Sequence, residues 1–245
     1  MASSIPLDVL LEILKYARKA DLPTLCRTNK ILCSCSQNFL YREVYAPDKR
    51  AIQTLARSTD LARRVRSFYT SCECPELATF LRNMSSLRIL DLNAMDASIL
   101  NGCTFKLDSF TCCFRYSESL QIFLNGQINL TDITFFEDCE PFPPFDETCL
   151  PNLTCVYAEP SWLNVLIPGR PVNDVAVFST GSFYSPDLSF FTLSATPIER
   201  IWFRFGMLYS NPASLLVYIF PSLVHLEVYA TDMDWPIPVR LCLFI

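Results

Sequence analysis

The 245-residue chain is poor in glycine, histidine and charge, and these shortages exclude several classes of protein. Only five glycines are present, and the sequence contains no G-x-G-x-x-G, G-K-[ST] or G-x-S-x-G motif of nucleotide-binding loops and nucleophile elbows. The one histidine, His225, and cysteines without C-x-x-C spacing give no zinc motif. We therefore expect no enzyme, no metal site and no cofactor.

Long apolar runs are also missing, although 51% of the residues are hydrophobic. The longest, residues 215–220, is far short of the roughly 18 residues that span a membrane. Asp8 and Glu12 interrupt the apolar start, which has no basic region, so no signal peptide is expected. The twelve cysteines are then expected to be reduced core residues. We expect a cytoplasmic or nuclear protein without a membrane partner.

Charge is unevenly spread along the chain. Up to Arg66 there are 12 Lys and Arg against six Asp and Glu, whereas the remainder has eight against 19. This division indicates a two-part protein. The basic residues of the front part alternate with apolar ones at helical spacing, which favours a solvated helix face over a nucleic-acid patch. No nucleic-acid partner is expected.

A six-residue phrase, apolar-x-x-apolar-x-apolar, returns after residue 60, most clearly as LRILDL at Leu87. Its eight copies begin at Val65, Leu87, Leu107, Leu130, Leu153, Val172, Ile198 and Leu223. The intervals lie between 19 and 26 residues, at or near the period of leucine-rich repeats. The alternative is an ordinary α/β domain with chance spacing.

The phrase has a physical basis in strand geometry. Positions 4 and 6 point to one side of a strand because side chains alternate, and position 1 enters from the same side. Segments between phrases, such as PELATFLRN and SESLQIFLNG, predict short amphipathic helices. Residues 65–231 resemble the divergent leucine-rich repeats of many fungal F-box proteins. This resemblance implies a horseshoe solenoid with one strand plus a helix or irregular segment per repeat, whose neighbours cover each other's apolar faces.

Three apolar stripes precede the repeats. Pro6 predicts a helix start, and apolar residues at helical spacing follow over residues 9–14. Asp21 is placed to cap a second helix that Leu22-Pro23 begins, and whose apolar side continues towards Ile31 and Leu32. A third stripe covers residues 39–45.

The segment from 5 to 45 resembles an F-box. The matching residues are IPLDVLLEIL, then Asp21-Leu22, the basic turn RTNK and the final FLY, with Ile5 in place of leucine and Ile31 in place of an aromatic. The resemblance implies a three-helix domain that binds the Skp-type adaptor of an SCF ubiquitin ligase. It assigns to the adaptor contact or to the domain's own core Ile5, Pro6, Leu7, Val9, Leu10, Ile13, Leu14, Leu22 and Leu25.

The expected fold is therefore α/β, with a three-helix F-box domain at 1–46, a linker helix at 47–64 and a leucine-rich-repeat solenoid at 65–245. The last residues, LCLFI, are apolar. Because a solenoid normally ends on a polar cap, we expect the repeats to be truncated at the C-terminus, or a partner to supply the missing cap.

Positions 3, 5 and 7 of each phrase should line one open face of the sheet. Aromatic residues and arginine, which anchor protein interfaces, are frequent there in the late repeats. We expect substrate contacts at Tyr157, Phe178, Arg200, Trp202, Arg204, His225 and Tyr229. Alternatively, loops cover the aromatics. The two arginines could meet an acidic or phosphorylated segment or stay solvated beside Glu199 or Glu227.

The expected function is substrate recognition in ubiquitin-dependent protein degradation. The F-box would bind the Skp-type adaptor, and through it a cullin-RING ligase, while the repeat face would bind a protein substrate that the sequence does not identify. The alternative is a repeat scaffold whose N-terminal helices only cap the solenoid, with no role in ubiquitin transfer.

Overall fold

The computed structural model describes residues 5–94, 96–136, 145–146, 148–178, 189–204, 220–229 and 238–241. For residues 203–204, 228–229 and 238–241 only the backbone is described. Contacts divide the chain into two compact units. The first comprises Met1–Asp91 with Gly102–Phe105, and the second Leu92–Asn101 with Lys106–Ile245.

Short helices and short strands make up both units. The α-helices within the described residues are α1 Leu7–Lys15, α2 Leu22–Leu25, α3 Lys30–Leu40, α4 Lys49–Ala56, α5 Thr59–Ala62, α6 Glu76–Asn83, α7 Glu118–Asn125 and α8 Pro160–Leu166. The strands there are β1 Glu43–Tyr45, β2 Ser67–Thr70, β3 Ile89–Leu92, β4 Ser109–Cys112, β5 Asp132–Phe135, β6 Cys155–Ala158, β7 Asp174–Val177, β8 Arg200–Arg204, β9 His225–Tyr229 and β10 Pro238–Leu241.

Residues at the N-termini of α1, α3 and α4 accept hydrogen bonds from N–H groups of the first helical turn. The carbonyl of Pro6 accepts a 3.0 Å hydrogen bond from Leu10 N–H at the start of α1. Asn29 caps α3 by accepting from Leu32 N–H at 2.8 Å, and Asp48 caps α4 through Ala51 N–H at 2.7 Å. Each such cap contributes about 1 kcal/mol. Asp21 occupies the predicted N-cap position of α2, but its side chain makes no cap hydrogen bond.

A small helical core lies between α1, α2 and α3. Leu14, Leu22 and Cys35 are buried at its centre. The partly buried residues packed around them are Leu10, Leu11, Ala17, Leu25, Phe39 and Leu40. Elsewhere in this unit β1 pairs in parallel with β2, and the Phe68 ring meets Phe80 of α6 edge-to-face at 5.2 Å.

The second unit is built on a parallel sheet. Strands β4 to β9 follow one another in chain order, each hydrogen-bonded in parallel to the next, and β10 pairs antiparallel with β9. Helices α7 and α8 lie in the β4–β5 and β6–β7 connections. The chain is therefore a mixed α/β protein with a parallel sheet.

The eight phrases all form strands. Each of β2 to β9 contains positions 3 to 6 of one phrase, and every residue at positions 1 and 4 is at most 5% exposed. Burial of each such side chain stabilises the fold by about 1.5–3 kcal/mol. Position 6 is at most 7% exposed in β2 to β7, and the position-6 side chains of β8 and β9 lie outside the described part of the structure. The prediction of strands whose positions 1, 4 and 6 face inward is thus confirmed for the described side chains. The horseshoe and the domain boundaries at 46 and 64 stay predictions.

Three parts of the chain before residue 65 differ from the expectation. Residues 43–45 form β1 instead of continuing a helical stripe, because they pair with β2 from Glu43↔Ser67 to Tyr45↔Tyr69. Ile31 and Leu32 belong to α3, not to α2. The expected linker helix at 47–64 is two helices, α4 and α5. The apolar residues 242–245 lie outside the described part of the chain.

Candidate functional site

The structure separates the nine residues that the F-box resemblance assigns to the adaptor contact or to the domain's core. Leu14 and Leu22, each 3% exposed, are core residues. Leu10 and Leu25 pack partly buried against them. The remaining five are exposed, namely Ile5, Pro6, Leu7, Val9 and Ile13. The structure therefore assigns each of the nine residues to the core or to the surface, which the sequence did not.

One face of α1 and the residue after it presents large apolar side chains to solvent. Val9, Ile13 and Tyr16 follow at intervals of four and three residues, which places them on one helix face. Their exposed fractions are 45%, 55% and 83%. We call this set the α1 surface. Contiguous exposed apolar side chains mark contacts with other proteins more often than scattered ones do.

Two further exposed apolar residues lie in the same unit. Ile31, at the start of α3, is 64% exposed and occupies the position where the F-box resemblance expects an aromatic. Tyr45 of β1 is 56% exposed, stacks on Tyr69 at 4.4 Å and carries the Lys19 ammonium 5.4 Å from its ring centre.

The second candidate surface is the face of β5 to β9 opposite the buried phrase residues, which we call the outer face. The strand register aligns position 3 of successive phrases in one row. That row runs Asp132, Cys155, Asp174, Arg200 and His225. Position 5 forms the adjacent row of Thr134, Tyr157, Ala176, Trp202 and Glu227.

An ion pair lies in the middle of the first row. Arg200 Nη2 is 2.8 Å from Asp174 Oδ2, and the Asp174 side chain is only 3% exposed, whereas Arg200 is half exposed. The partner of Arg200 is therefore Asp174 and not Glu199 or Glu227. Asp174 Oδ1 is buried without a hydrogen-bond partner. Burial is the main cause that raises the pKa of Asp174 to about 6.

Aromatic and acidic side chains meet beside this pair. Trp202 Nε1 donates to Glu227 Oε2 at 2.9 Å, and His225 Nε2 lies 3.4 Å from the same oxygen. The ring of Tyr157 meets Trp202 edge-to-face at 5.6 Å. Glu227 is buried, so the indole fixes a carboxylate that would otherwise be poorly solvated.

Two titratable groups near the Asp132 end of the rows have raised pKa values. Burial, followed by the charge of Asp174, raises the pKa of Tyr157 to about 12. Burial raises the pKa of the Cys155 thiol to about 11, and Asp132 and Asp174 add to the effect. The same two carboxylates therefore act on both Cys155 and Tyr157.

The remaining expected substrate residues lie at the ends of the strands. Phe178, which follows β7, is half-buried and stacks on the exposed Phe136 at 5.6 Å. Arg204 and Tyr229 are paired in the backbone register of β8 and β9, but their side chains lie outside the described part of the structure. The structure thus places Tyr157, Arg200, Trp202 and His225 together on the outer face.

Two acidic residues of this face were not among the predicted site residues. Asp132 and Asp174 occupy position 3 of their phrases, whereas Glu227, at position 5, was already expected on this face. Aligning the phrases by position would have placed Asp132 and Asp174 in one row with Arg200. Aspartate is smaller than the aromatic and arginine side chains that indicated the substrate face, so its residue type alone gave no signal.

The fold and these two surfaces define a mixed α/β protein with exposed apolar and acidic–aromatic faces and no cluster of metal-ligating residues among the described residues. No family model matches the chain, and no curated protein matches its sequence. No helix within the described residues has the length and apolar character needed to cross a membrane.

Proposed function

We propose that the chain is a substrate-recognition subunit of an SCF-type ubiquitin ligase. In this proposal α1 to α3 form an F-box that binds a Skp-type adaptor, and the strands from β2 onward form a leucine-rich-repeat solenoid. The outer face then holds a protein substrate. The chain performs no chemistry itself; it brings lysines of the held substrate near the ubiquitin donor, which raises their effective concentration.

The observation that supports the proposal most directly is that α1 has apolar residues on two sides, one buried and one exposed. Leu14 packs inward with Leu22, whereas Val9 and Ile13 remain exposed on the neighbouring side of the same helix. A helix that only completed its own three-helix core would need just the inward stripe. The additional apolar residues fit a second polypeptide, whose contact would remove them from water at roughly 25 cal/mol per Å².

The test is capture of the adaptor by the full chain. The chain would be co-expressed with a Skp-type adaptor and purified through a tag on the chain, comparing wild type with the double variant Val9→Asp, Ile13→Asp. Both residues are exposed, so the variant should fold. We expect the wild type to retain the adaptor in a stoichiometric complex and the double variant to lose it, because two buried charges would have no partner in the interface.

The matched control is Ile122→Asp, Ile128→Asp, which makes the same substitutions at two exposed apolar residues of the second unit. It should retain the adaptor. Absence of adaptor from the wild-type preparation, or equal capture by both double variants, would contradict the proposal and favour a scaffold without a ubiquitin role. Thermal unfolding of each variant excludes misfolding as the cause of any loss.

A further inference from the structure

The acidic end of the outer face has an unsatisfied carboxylate. Asp174 keeps one oxygen on Arg200, while Oδ1 is buried without a hydrogen-bond partner. A buried acceptor left without a donor costs about 1–3 kcal/mol, and an N–H group on a cation is the donor that gains most from it. A second basic group brought to Asp174 would therefore be stabilised.

A second carboxylate lies in the same row. Asp132 pairs in register with Cys155, which pairs in turn with Asp174, so the small thiol side chain separates the two acids. Two strand spacings separate the two acidic residues by about 10 Å, and the partly exposed Cys155 lies between them. Arg200 lies on the far side of Asp174, next to His225. The Asp132 side of the row consequently retains excess negative charge.

An aromatic ring borders the same place. Tyr157 is the β6 residue two positions after Cys155; burial, and then the carboxylates of Asp174 and Asp132, raise the pKa of its hydroxyl group. A cation near these carboxylates is therefore also near an aromatic ring, an arrangement that contributes about 0.5–2 kcal/mol. The surrounding unit adds long-range attraction, since it has six Lys and Arg against 16 Asp and Glu.

We propose that Asp132, Cys155, Asp174 and Tyr157 form a binding site for a Lys or Arg side chain on an extended basic segment of the protein substrate. This inference rests on the proposed use of the outer face for substrate binding. It differs from recognition of an acidic or phosphorylated segment, because the positive charge of Arg200 is already held by Asp174.

The experiment measures peptide binding to the full chain by fluorescence anisotropy. The probes are fluorescein-labelled Gly-Ser peptides that carry arginine, glutamate or phosphoserine at alternate positions. We expect the arginine peptide to bind at least about tenfold more tightly than the other two, with an affinity that falls as salt concentration rises. Tighter binding of the glutamate or phosphoserine peptide, or equal binding of all three, would overturn the proposal.

The variants locate the site. Asp132→Asn and Asp174→Asn should each weaken binding of the arginine peptide about tenfold, and Tyr157→Leu should weaken it more than Tyr157→Phe, which keeps the ring. Glu199→Gln, an exposed acid outside these rows, is the matched control and should bind as the wild type does. Unchanged binding in Asp132→Asn, whose side chain is only half-buried, would overturn the proposal even if Asp174→Asn failed to fold.

Adaptor capture separates this inference from the proposed function. A chain that binds the arginine peptide as expected but captures no adaptor would retain the basic-segment site and refute the ligase role. A chain that captures the adaptor while the arginine peptide binds no better than the glutamate peptide would retain the ligase role and refute the site.

Discussion

Asp174 and Arg200 occupy paired positions of the neighbouring strands β7 and β8, and Arg200 Nη2 lies 2.8 Å from Asp174 Oδ2. The carboxylate is buried, whereas the guanidinium is half exposed. The ion pair compensates only part of the cost of burial, because the pKa of Asp174 still rises to about 6. The other carboxylate oxygen is buried without a hydrogen-bond partner. The ionised form of Asp174 therefore lowers the stability of the folded protein.

This cost predicts a pH dependence of stability. The folded protein keeps the Asp174 proton up to a pKa of about 6, whereas the unfolded chain releases it near the ordinary value of 3.8. Stability should therefore fall as the pH rises from about 4 to about 6, by up to about 3 kcal/mol from this group. Urea unfolding of wild type and Asp174→Asn across this range would measure it, and the variant should lack this component.

The control for this prediction is Glu199→Gln, which removes a carboxylate but keeps Asp174. Its unfolding free energy should follow the wild-type pH dependence between about 4 and 6. Parallel curves for wild type and Asp174→Asn would show that the environment of Asp174 is the same in the folded and unfolded chain, contrary to the burial described above.

Arg170 gives a second prediction. This arginine is 1% exposed, and its guanidinium donates to the carbonyls of residues 146, 149, 165, 166 and 168 at 2.9–3.4 Å. It thereby ties the end of α8 to the segment before Leu150. Arg170→Met should lower the free energy of unfolding by about 3–5 kcal/mol, because several buried carbonyls lose their donor. The exposed Arg115→Met should change it by less than about 0.5 kcal/mol.

Denaturant unfolding measures both arginine variants. If Arg170→Met were as stable as Arg115→Met, the carbonyls around Arg170 would have to be satisfied by other donors, and the arginine would not hold this segment.

The phrase residues give a third prediction. Phe110, at position 4 of its phrase, is fully buried and packs against Phe114, Phe123 and Phe135 at ring distances of 5.5–6.3 Å. Phe110→Ala should destabilise the protein by about 3–5 kcal/mol. Thr111→Ala, at the next position on the opposite face, should cost much less. Equal losses would contradict the alternation of buried and outward positions along β4.

The strands were predictable because their signal is local. Alternation within six residues places Leu90 or Phe110 inward whatever the neighbouring strand is, so each phrase indicates its own strand. Strand β1 lacks such a pattern: Val44 and Tyr45 continue an apolar stripe, and only the hydrogen bonds to β2 make this segment a strand. Such pairing between distant segments is not encoded in the spacing of a short window.

The candidate surfaces were predictable only in part, for a related reason. The sequence identified Arg200 as an outer-face residue, but its ion pair with Asp174 depends on the register between β7 and β8. Likewise the apolar residues of α1 were all visible, but their division into Leu14 inside and Ile13 outside depends on where α2 and α3 pack. The residues that could form each surface were thus visible in the sequence, whereas the contact partner of each residue required the tertiary structure.

The last prediction concerns two adjacent residues of α1. Substitution of the buried Leu14 should affect stability, whereas substitution of the exposed Ile13 should affect adaptor binding. Leu14→Ala removes a side chain from the helical core and should destabilise the first unit by about 2–5 kcal/mol. Ile13→Ala removes an exposed side chain and should change stability by less than about 0.5 kcal/mol, yet weaken adaptor binding by about tenfold if the α1 surface forms the interface. Hydrogen exchange of α1 to α3 reports the stability of the unit, and calorimetric titration with the purified adaptor reports the affinity. A loss of stability in Ile13→Ala equal to that in Leu14→Ala would mean that Ile13 is buried in solution, and it would remove the exposed apolar surface on which adaptor binding depends.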